Sequence, residues 1–167
     1  MSHTNLRIDR IQEGTVIDHI DAGYALTILN LTGLDESPNL MTIGVNVSSK
    51  KYGRKDIIKI ENVFLDKIQM QMISILSPNA TISLIENDNV IKKERVNLPN
   101  MIKKLIACNT KTCISNSREP ISSEFLVLEE KPLKIQCNFC DRIYKLDEIN
   151  FKPTRKRQKK IKQRLTF

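Results

Sequence analysis

Residues 108–140 read CNTKTCISNSREPISSEFLVLEEKPLKIQCNFC, and this stretch contains all four cysteines of the 167-residue chain. The cysteines form two close pairs, Cys108-x4-Cys113 and Cys137-x2-Cys140, separated by 23 residues. Two close pairs joined by a β-rich loop are typical of a tetrahedral site in which four thiolates hold one zinc ion. The spacing therefore predicts one zinc ion per chain, bound by these four cysteines.

Disulfides and buried free thiols are the other common uses of four cysteines. The N-terminus, Met1 to Asn5, shows no charged and apolar signal, so we expect no signal peptide and a cytoplasmic location, where thiols stay reduced. Four scattered core cysteines would not pair in this way, and a redox role for Cys137-x2-Cys140 alone leaves the first pair unexplained. Four cysteine ligands leave no open position on the metal, so its role is expected to be structural.

The cysteines are expected to lie in a small all-β zinc domain over residues 99–151. Short strands are predicted at 125–128, 133–136 and 142–145, where apolar and β-branched residues cluster. A domain of this size buries little core, so its fold should depend on the metal.

The region before the cysteines, residues 1–98, begins with a predicted buried strand at 15–20. Asp21 is placed to cap a helix that carries apolar residues at 22, 25, 26 and 29 and stops at Gly33. The Thr and Ile residues inside this stretch are also consistent with a strand.

Four further strands and a second helix complete the prediction for this region. Strands are expected at 40–47 and 55–61, with Ile58 and Ile60 on one face. Asp66 opens the second helix, whose apolar stripe is Ile68, Met72, Ile75 and Leu76. Strands at 81–85 and 90–96 then form a hairpin through residues 86–89. The predicted fold class is α+β, a mainly antiparallel sheet with two helices on one face, followed by the all-β zinc domain.

The net charge of +8 is concentrated at the C-terminus. Residues 152–167 contain eight of the 27 basic residues and no acidic one, which leaves 19 basic and 19 acidic residues in the rest of the chain. We predict a basic, disordered tail here. It is either a solvated extension or an electrostatic contact for nucleic acid or an acidic partner. No apolar run approaches the ~18 residues that cross a bilayer, so no membrane contact is expected.

The residue inventory argues against catalysis. The chain has two histidines and five glycines, with no Ser-His-Asp ordering and no Gly-rich phosphate loop. A zinc enzyme would need a ligand other than cysteine or an open coordination position. We therefore predict that the chain is not an enzyme.

Lysines in the first region offer a second candidate site. Asp18-His19 ends the first strand, Lys55 and Lys59 bracket the third, and Lys92-Lys93 lies on the last. Lysines on neighbouring strands can converge on a nucleoside triphosphate, which carries about −4 charge. The same pattern is also that of lysines on an ordinary solvated face.

Three segments together resemble a known family, the regulatory chain of aspartate carbamoyltransferase. They are residues 14–20, GTVIDHI, residues 53–62, GRKDIIKIEN, and the four-cysteine spacing with Cys113-Ile114-Ser115. The resemblance spans about residues 5–150. It implies a non-catalytic chain that controls pyrimidine biosynthesis by binding CTP, an inhibitor, and ATP, an activator, at one shared site. It also implies that the zinc domain holds the catalytic chain, and that three regulatory homodimers bridge two catalytic trimers in a heterododecamer.

The resemblance also implies the residues of the nucleotide site. Asp18, His19 and Lys59 would lie at the nucleotide, and Lys93 would face the ribose and phosphates. The base pocket would be lined by Ile8, Asp9, Ile11, Ser83, Ile85 and Val90.

Three features depart from the family pattern. Asp88 stands where a relative can carry an aromatic residue, and a negative charge there would disfavour a triphosphate if it points inward. The first knuckle, residues 109–112, differs from the family loop at the catalytic-chain contact. The basic tail is not explained by the family, and it supports the alternative of a zinc-ribbon protein that binds nucleic acid.

Overall fold

The computed structural model describes residues 10–118 and 121–152, so most of the predicted tail lies outside the described residues. From residue 10 onward, the first region contains five strands and two α-helices in the predicted order. They are β1 Gly14–Asp21, α1 Ala25–Thr32, β2 Met41–Ser49, β3 Gly53–Glu61, α2 Lys67–Leu76, β4 Thr81–Glu86 and β5 Asn89–Arg95.

The five strands form one sheet in the order β2-β3-β1-β4-β5, and every neighbouring pair is antiparallel. One face carries Ile17, Ile58 and Ile82, all at most 1% exposed, and both helices pack against the same cluster. The predicted fold class, a mainly antiparallel sheet with two helices, is confirmed.

Gly14 begins β1 at a position that excludes any other residue. Its φ is +134°, and a Cβ atom built there would lie 2.1 Å from the carbonyl oxygen of Ile60 on β3. The glycine of the GTVIDHI segment therefore allows β1 and β3 to approach at the start of their pairing.

Helix α1 forms where both a helix and a strand were consistent with the sequence, but the predicted cap is wrong. Asp21 is the last residue of β1, and the helix begins at Ala25 without a side-chain cap from its own N-terminus. Asp56 of β3 supplies the acceptor instead, because its Oδ2 accepts hydrogen bonds from the backbone of Gly23 and Ala25 at 2.9 and 3.0 Å. Gly33, with φ 72°, ends the helix as predicted.

Helix α2 begins as the sequence predicts. Asp66 accepts from Gln69 N at 2.8 Å while the Gln69 side chain accepts from Asp66 N at 3.0 Å, which is a capping box. The predicted apolar stripe is partly wrong, since Ile68 is 45% exposed and Ile73 is buried.

Strands β4 and β5 are joined by the predicted tight hairpin. Its two central residues, Asn87 and Asp88, have φ of 49° and 63°. Two positive φ values are the mark of a type I′ turn, whose twist matches that of antiparallel strands.

The second region consists of short strands around the cysteines. The strands are β6 Met101–Lys103, β7 Ile106–Ala107, β8 Glu124–Glu130, β9 Leu133–Cys137, β10 Ile143–Lys145 and β11 Asn150–Phe151. Four of them form an antiparallel sheet in the order β10-β9-β8-β6, and a two-stranded sheet joins β11 to β7.

Helix α2 is a common wall between two apolar clusters. Ile73 and Leu76 belong to the cluster of the first region, whereas Met72 and Ile75 pack with Ile102 and other residues of the second. The helix is thus buried on two sides. None of the helices within the described residues has the length and hydropathy needed to cross a membrane.

Candidate functional site

The structure brings the four predicted metal ligands together. Their Sγ atoms all lie within 4.8 Å of one another, with 3.6 Å between Cys108 and Cys140 and 3.8 Å between Cys113 and Cys137. In a tetrahedron with Zn–S bonds of ~2.3 Å, neighbouring sulfurs are about 3.8 Å apart. The donor set therefore fits a metal ion bound by four thiolates.

Two backbone knuckles place the sulfurs. In the first knuckle, Cys113 N donates to Thr110 O at 3.0 Å, and the Asn116 side chain donates to the carbonyls of Cys108 and Thr110 at 2.7 and 2.9 Å. In the second, Asp141 N donates to Cys137 O at 3.0 Å. Each close pair of cysteines is thus held by its own turn.

Hydroxyl groups behind the cysteines favour thiolate at Cys108. Burial works against ionisation of this thiol, but hydrogen bonds from the Tyr144 hydroxyl, the Thr110 backbone and Cys140 outweigh it and lower its pKa to about 6. The Tyr144 oxygen lies 3.1 Å from the sulfur, and its pKa is raised by burial and by this contact, so the hydroxyl keeps its proton.

Cys137 is the opposite case. It is fully buried, and burial raises its pKa to about 12. A metal that binds the cluster must therefore displace the Cys137 proton, which makes its affinity depend on pH. Four sulfurs would complete a tetrahedral shell, so the arrangement suits a structural metal.

The second candidate site is a row of side chains across the open face of the five-stranded sheet. Lys59 pairs with Val16, Val16 with Ser83, and Ser83 with Lys93. Directly paired residues in neighbouring strands point to the same side of a sheet, which here is opposite to the helices. We call Lys59, Val16, Ser83 and Lys93 the lysine row.

Asp18 lies beside the lysine row and is tied to Lys55. The Lys55 Nζ donates to Asp18 Oδ1 at 2.6 Å, and the backbone N of His19 donates to the same oxygen. Burial of Asp18 works against its ionisation, but these contacts prevail and hold its pKa below the usual range. Lys55 is therefore already neutralised in part by Asp18.

His19 occupies a break in the register between β1 and β3, with φ 56°. Its ring meets Tyr52 edge-on at 5.7 Å. The buried Nδ1 is 3.6 Å from Asp18 Oδ2, which is too long for a hydrogen bond, and it has no partner among the described residues. A buried ring nitrogen without a hydrogen-bond partner in the protein is usually satisfied by a ligand or an ordered water molecule.

The remaining predicted residues take different positions. Ile85 pairs with both Gly14 and Val90, one step along the sheet from the lysine row. Ile11 is buried, and Val90 is 58% exposed. Ile8 and Asp9 lie outside the described residues.

Lys92 does not join the lysine row, contrary to its grouping with Lys93 in the sequence. It pairs with Leu84, so it points to the other face, where its Nζ lies 3.0 Å from Glu94 Oε2. Strand alternation therefore divides the two adjacent lysines between opposite faces.

A cavity of about 650 Å³ lies at the N-terminal end of β1, where β3 ends and β4 turns into β5. Its described lining is largely acidic and polar, and includes Asp88 of the β4–β5 turn and Glu61 of β3. The lysine row itself stands on the open face outside this cavity. The described lining residues are Arg10, Gln12, Glu13, Glu61, Asn62, Asn87 and Asp88.

Sequence reasoning missed several residues of both sites. Arg95 follows Lys93 by two residues on β5, and strand alternation could have placed it on the same face. The sequence gives no such signal for four other residues, because only the folded chain brings them to the sites. Val16 joins the lysine row, Tyr52 contacts His19, and Tyr144 and Asn116 contact the cysteines.

Comparison with protein families supports the division seen in the structure. Residues 6–97 match the family described as aspartate carbamoyltransferase regulatory chain, allosteric domain. Residues 100–150 match the family described as aspartate carbamoyltransferase regulatory chain, metal binding domain. The two matches together span most of the chain.

Curated relatives give the same result. A protein of Ignicoccus hospitalis is 45% identical over 148 residues, which cover 87% of this chain and 94% of the relative. One of Thermoplasma acidophilum is 43% identical over 138 residues, covering 82% and 91%. One of Nitrosopumilus maritimus is 38% identical over 152 residues, covering 90% and 99%. All three are called aspartate carbamoyltransferase regulatory chain.

Proposed function

The chain belongs to the family of aspartate carbamoyltransferase regulatory chains, and on that premise we propose that it is a non-catalytic subunit that binds CTP and ATP. Residues 1–98 would form the nucleotide-binding allosteric domain, and residues 99–151 a zinc domain that contacts the catalytic chain. Residues 152–167 would be a basic tail. The subunit would thereby control pyrimidine biosynthesis.

The lysine row is the observation that carries the nucleotide site. Lys59 and Lys93 stand three strand spacings apart, roughly 14 Å between their backbones. Their flexible side chains can converge on a polyphosphate of about −4 charge. His19 lies on the neighbouring part of β1, next to Asp18.

The remaining nucleotide contacts follow from the family motifs. Asp18, His19 and Lys59 would lie at the nucleotide, and Lys93 would face the ribose and phosphates. The base pocket would be lined by Ile8, Asp9, Ile11, Ser83, Ile85 and Val90. Asp88 lines the cavity at this end of the sheet, so its carboxylate would repel phosphates there and favour a pose that keeps them over the lysine row.

Zinc is the metal we propose for the four cysteines, because a closed tetrahedral set of thiolates suits Zn²⁺ and leaves no position for substrate. Its role would be to fold the second region, which then holds the catalytic chain. A cytoplasmic location belongs to the proposal, since thiolate ligands need a reducing compartment.

Assembly and regulation follow the family pattern in this proposal. Regulatory chains would pair as homodimers through their first regions, and three dimers would bridge two catalytic trimers. Nucleotides would act by binding the low- and high-activity states with different affinity, with couplings of about 1–3 kcal/mol.

Nucleotide binding is tested with two neighbouring lysines. We expect Lys93→Met to weaken CTP and ATP binding about tenfold, because it removes a charged hydrogen-bond donor. Lys92→Met is the matched control, since Lys92 points to the other face, and it should bind as the unchanged chain does. Equal affinities of the two variants in equilibrium dialysis would contradict the site.

Assembly is tested by co-migration of the zinc-loaded chain with catalytic trimers from the same source. We expect a complex that fails to form when the chain is refolded with a chelator. The absence of a complex in both conditions would contradict the regulatory role and turn attention to salt-dependent nucleic-acid binding by the tail.

A further inference from the structure

The joint between the two regions has an apolar side and a polar side. On the apolar side, α2 is buried in both clusters, and Leu146 and Phe151 pack against both as well. On the polar side, the turn between β8 and β9 approaches the loop between α2 and β4. A cleft of about 300 Å³, lined by residues of both regions such as Tyr24 and Pro132, separates these two loops.

Asn79 spans the polar side of the joint. Its Oδ1 accepts a hydrogen bond from Lys131 Nζ of the β8–β9 turn at 2.5 Å and another from Arg95 Nη2 of β5 at 2.9 Å. Its Nδ2 donates to Asp21 Oδ1 at 3.3 Å. One side-chain oxygen is therefore shared by a cation of each region.

Arg95 connects this contact to the lysine row. It pairs with Thr81, which pairs with Asp18, so these three residues form the next row on the same face of the sheet. Arg95 is two residues from Lys93, and its Nε also donates to Pro78 O at 3.1 Å. An anion held by the lysine row lies within the electrostatic reach of the Arg95 guanidinium.

We propose that Asn79 couples the nucleotide site to the second region by sharing its side-chain oxygen between Arg95 and Lys131. This proposal rests on the proposed function and names the route of regulation. A bound triphosphate attracts Arg95 towards the lysine row and so breaks the hydrogen bond from Arg95 to Asn79 Oδ1. Asn79 Oδ1 then accepts from Lys131 alone, and the repulsion between the Arg95 and Lys131 cations is reduced. Nucleotide binding therefore tightens the contact across the cleft, while α2 stays fixed in both cores.

The test compares two lysines of one hairpin in the assembled enzyme. Lys131→Met removes the contact to Asn79, whereas Lys134→Met removes an ion pair with Glu129 inside the hairpin. We expect Lys131→Met to reduce the nucleotide-induced shift in aspartate half-saturation about threefold. Both variants should assemble, keep the activity seen without nucleotide, and still bind CTP in equilibrium dialysis.

A second measurement tests the sharing itself. Arg95→Met and Lys131→Met, made singly and together, should change the nucleotide response non-additively, because both side chains act through one oxygen. Additive changes would overturn the shared-acceptor proposal.

The outcomes separate the two proposals. If the unchanged holoenzyme responds to nucleotide and Lys131→Met responds as Lys134→Met does, the coupling role of Asn79 is wrong and the proposed function stands. If the unchanged holoenzyme binds no nucleotide and shows no response, the proposed function fails, and the coupling proposal fails with it.

Discussion

The apolar cores of the two regions contain the same number of described buried residues but differ in the types of residue that form them. Within the described residues each cluster contains 13 buried residues, but those of the first are all aliphatic, and most are supplied by strands of six to nine residues and by both helices. Three of the second are cysteines and two, Met72 and Ile75, are supplied by α2. The first region can therefore rest on apolar burial, whereas the second needs both the metal and the helix of its neighbour.

Loss of a metal ligand should have the largest effect, because only the second region depends on the metal. We expect Cys137→Ser to abolish metal binding and unfold the second region, since structural zinc contributes about 10–16 kcal/mol in small metal-binding peptides. The five-stranded sheet should survive, so limited proteolysis should yield a fragment ending near residue 98. Asn138→Ser, at the exposed neighbouring position, is the control. Full metal content in Cys137→Ser, or collapse of the sheet, would contradict this contrast.

The first region should be most sensitive at Asp56. This fully buried carboxylate accepts from the backbone of Gly23, Ala25 and Asn46, so Asp56→Ala leaves three donors without it. We expect a loss of about 3–5 kcal/mol in urea unfolding, with metal content unchanged.

Asp66→Ala is the matched control for Asp56, because it removes a helix cap that is local in sequence. Its expected cost is about 1 kcal/mol. Similar losses for Asp56→Ala and Asp66→Ala would show that the link between α1 and β3 is not what stabilises the first region.

Tyr144→Phe should affect only the second region, and less than loss of a ligand. The hydroxyl lies 3.1 Å from Cys108 Sγ, and removing such a contact behind a metal ligand costs about tenfold in metal affinity. Competition with a chromogenic chelator measures this change. Phe retains the edge-on ring contact with Phe125, so unchanged thermal stability of the loaded protein is the accompanying expectation.

The smallest effect concerns acid and the first region. The pKa of Asp18 is held below its usual value, so its stabilising contact with Lys55 is complete above about pH 4 and is lost as pH falls through the lowered pKa. We expect Asp18→Asn to remove about 0.2–1 kcal/mol of this acid dependence in urea unfolding between pH 2 and 5. An identical pH profile for Asp18→Asn and the unchanged chain would contradict the assignment.

Local patterns in the sequence predicted most of the fold. The Asp66 cap, the Gly33 stop and the alternation of Ile58 and Ile60 depend on neighbours within a few residues, and all three appear in the structure. The cap of α1 could not be predicted in this way, because Asp56 is 31 residues from Ala25. The structure explains why an aspartate stands in the GRKDIIKIEN segment: Asp56 accepts hydrogen bonds from backbone N–H groups that lie beside it only in the folded sheet.

The candidate sites divide in the same way. The cysteine cluster follows from spacing, since each knuckle is a local turn. The lysine row could not be derived from spacing alone, because Lys59, Ser83 and Lys93 meet only through the order β3-β1-β4-β5. Register also separates Lys92 from Lys93, which the sequence alone presents as a pair.

The two-sided burial of α2 has a consequence for synthesis. Residues 1–98 are synthesised before any cysteine and emerge from the ribosome before the second region is complete, so the first sheet can fold around one face of α2 while Met72 and Ile75 are still uncovered. The nascent chain then carries an apolar strip that only its own next 50 residues can cover. A delay in metal supply would prolong the exposure of that strip, and the newly made first region would become a target for chaperones.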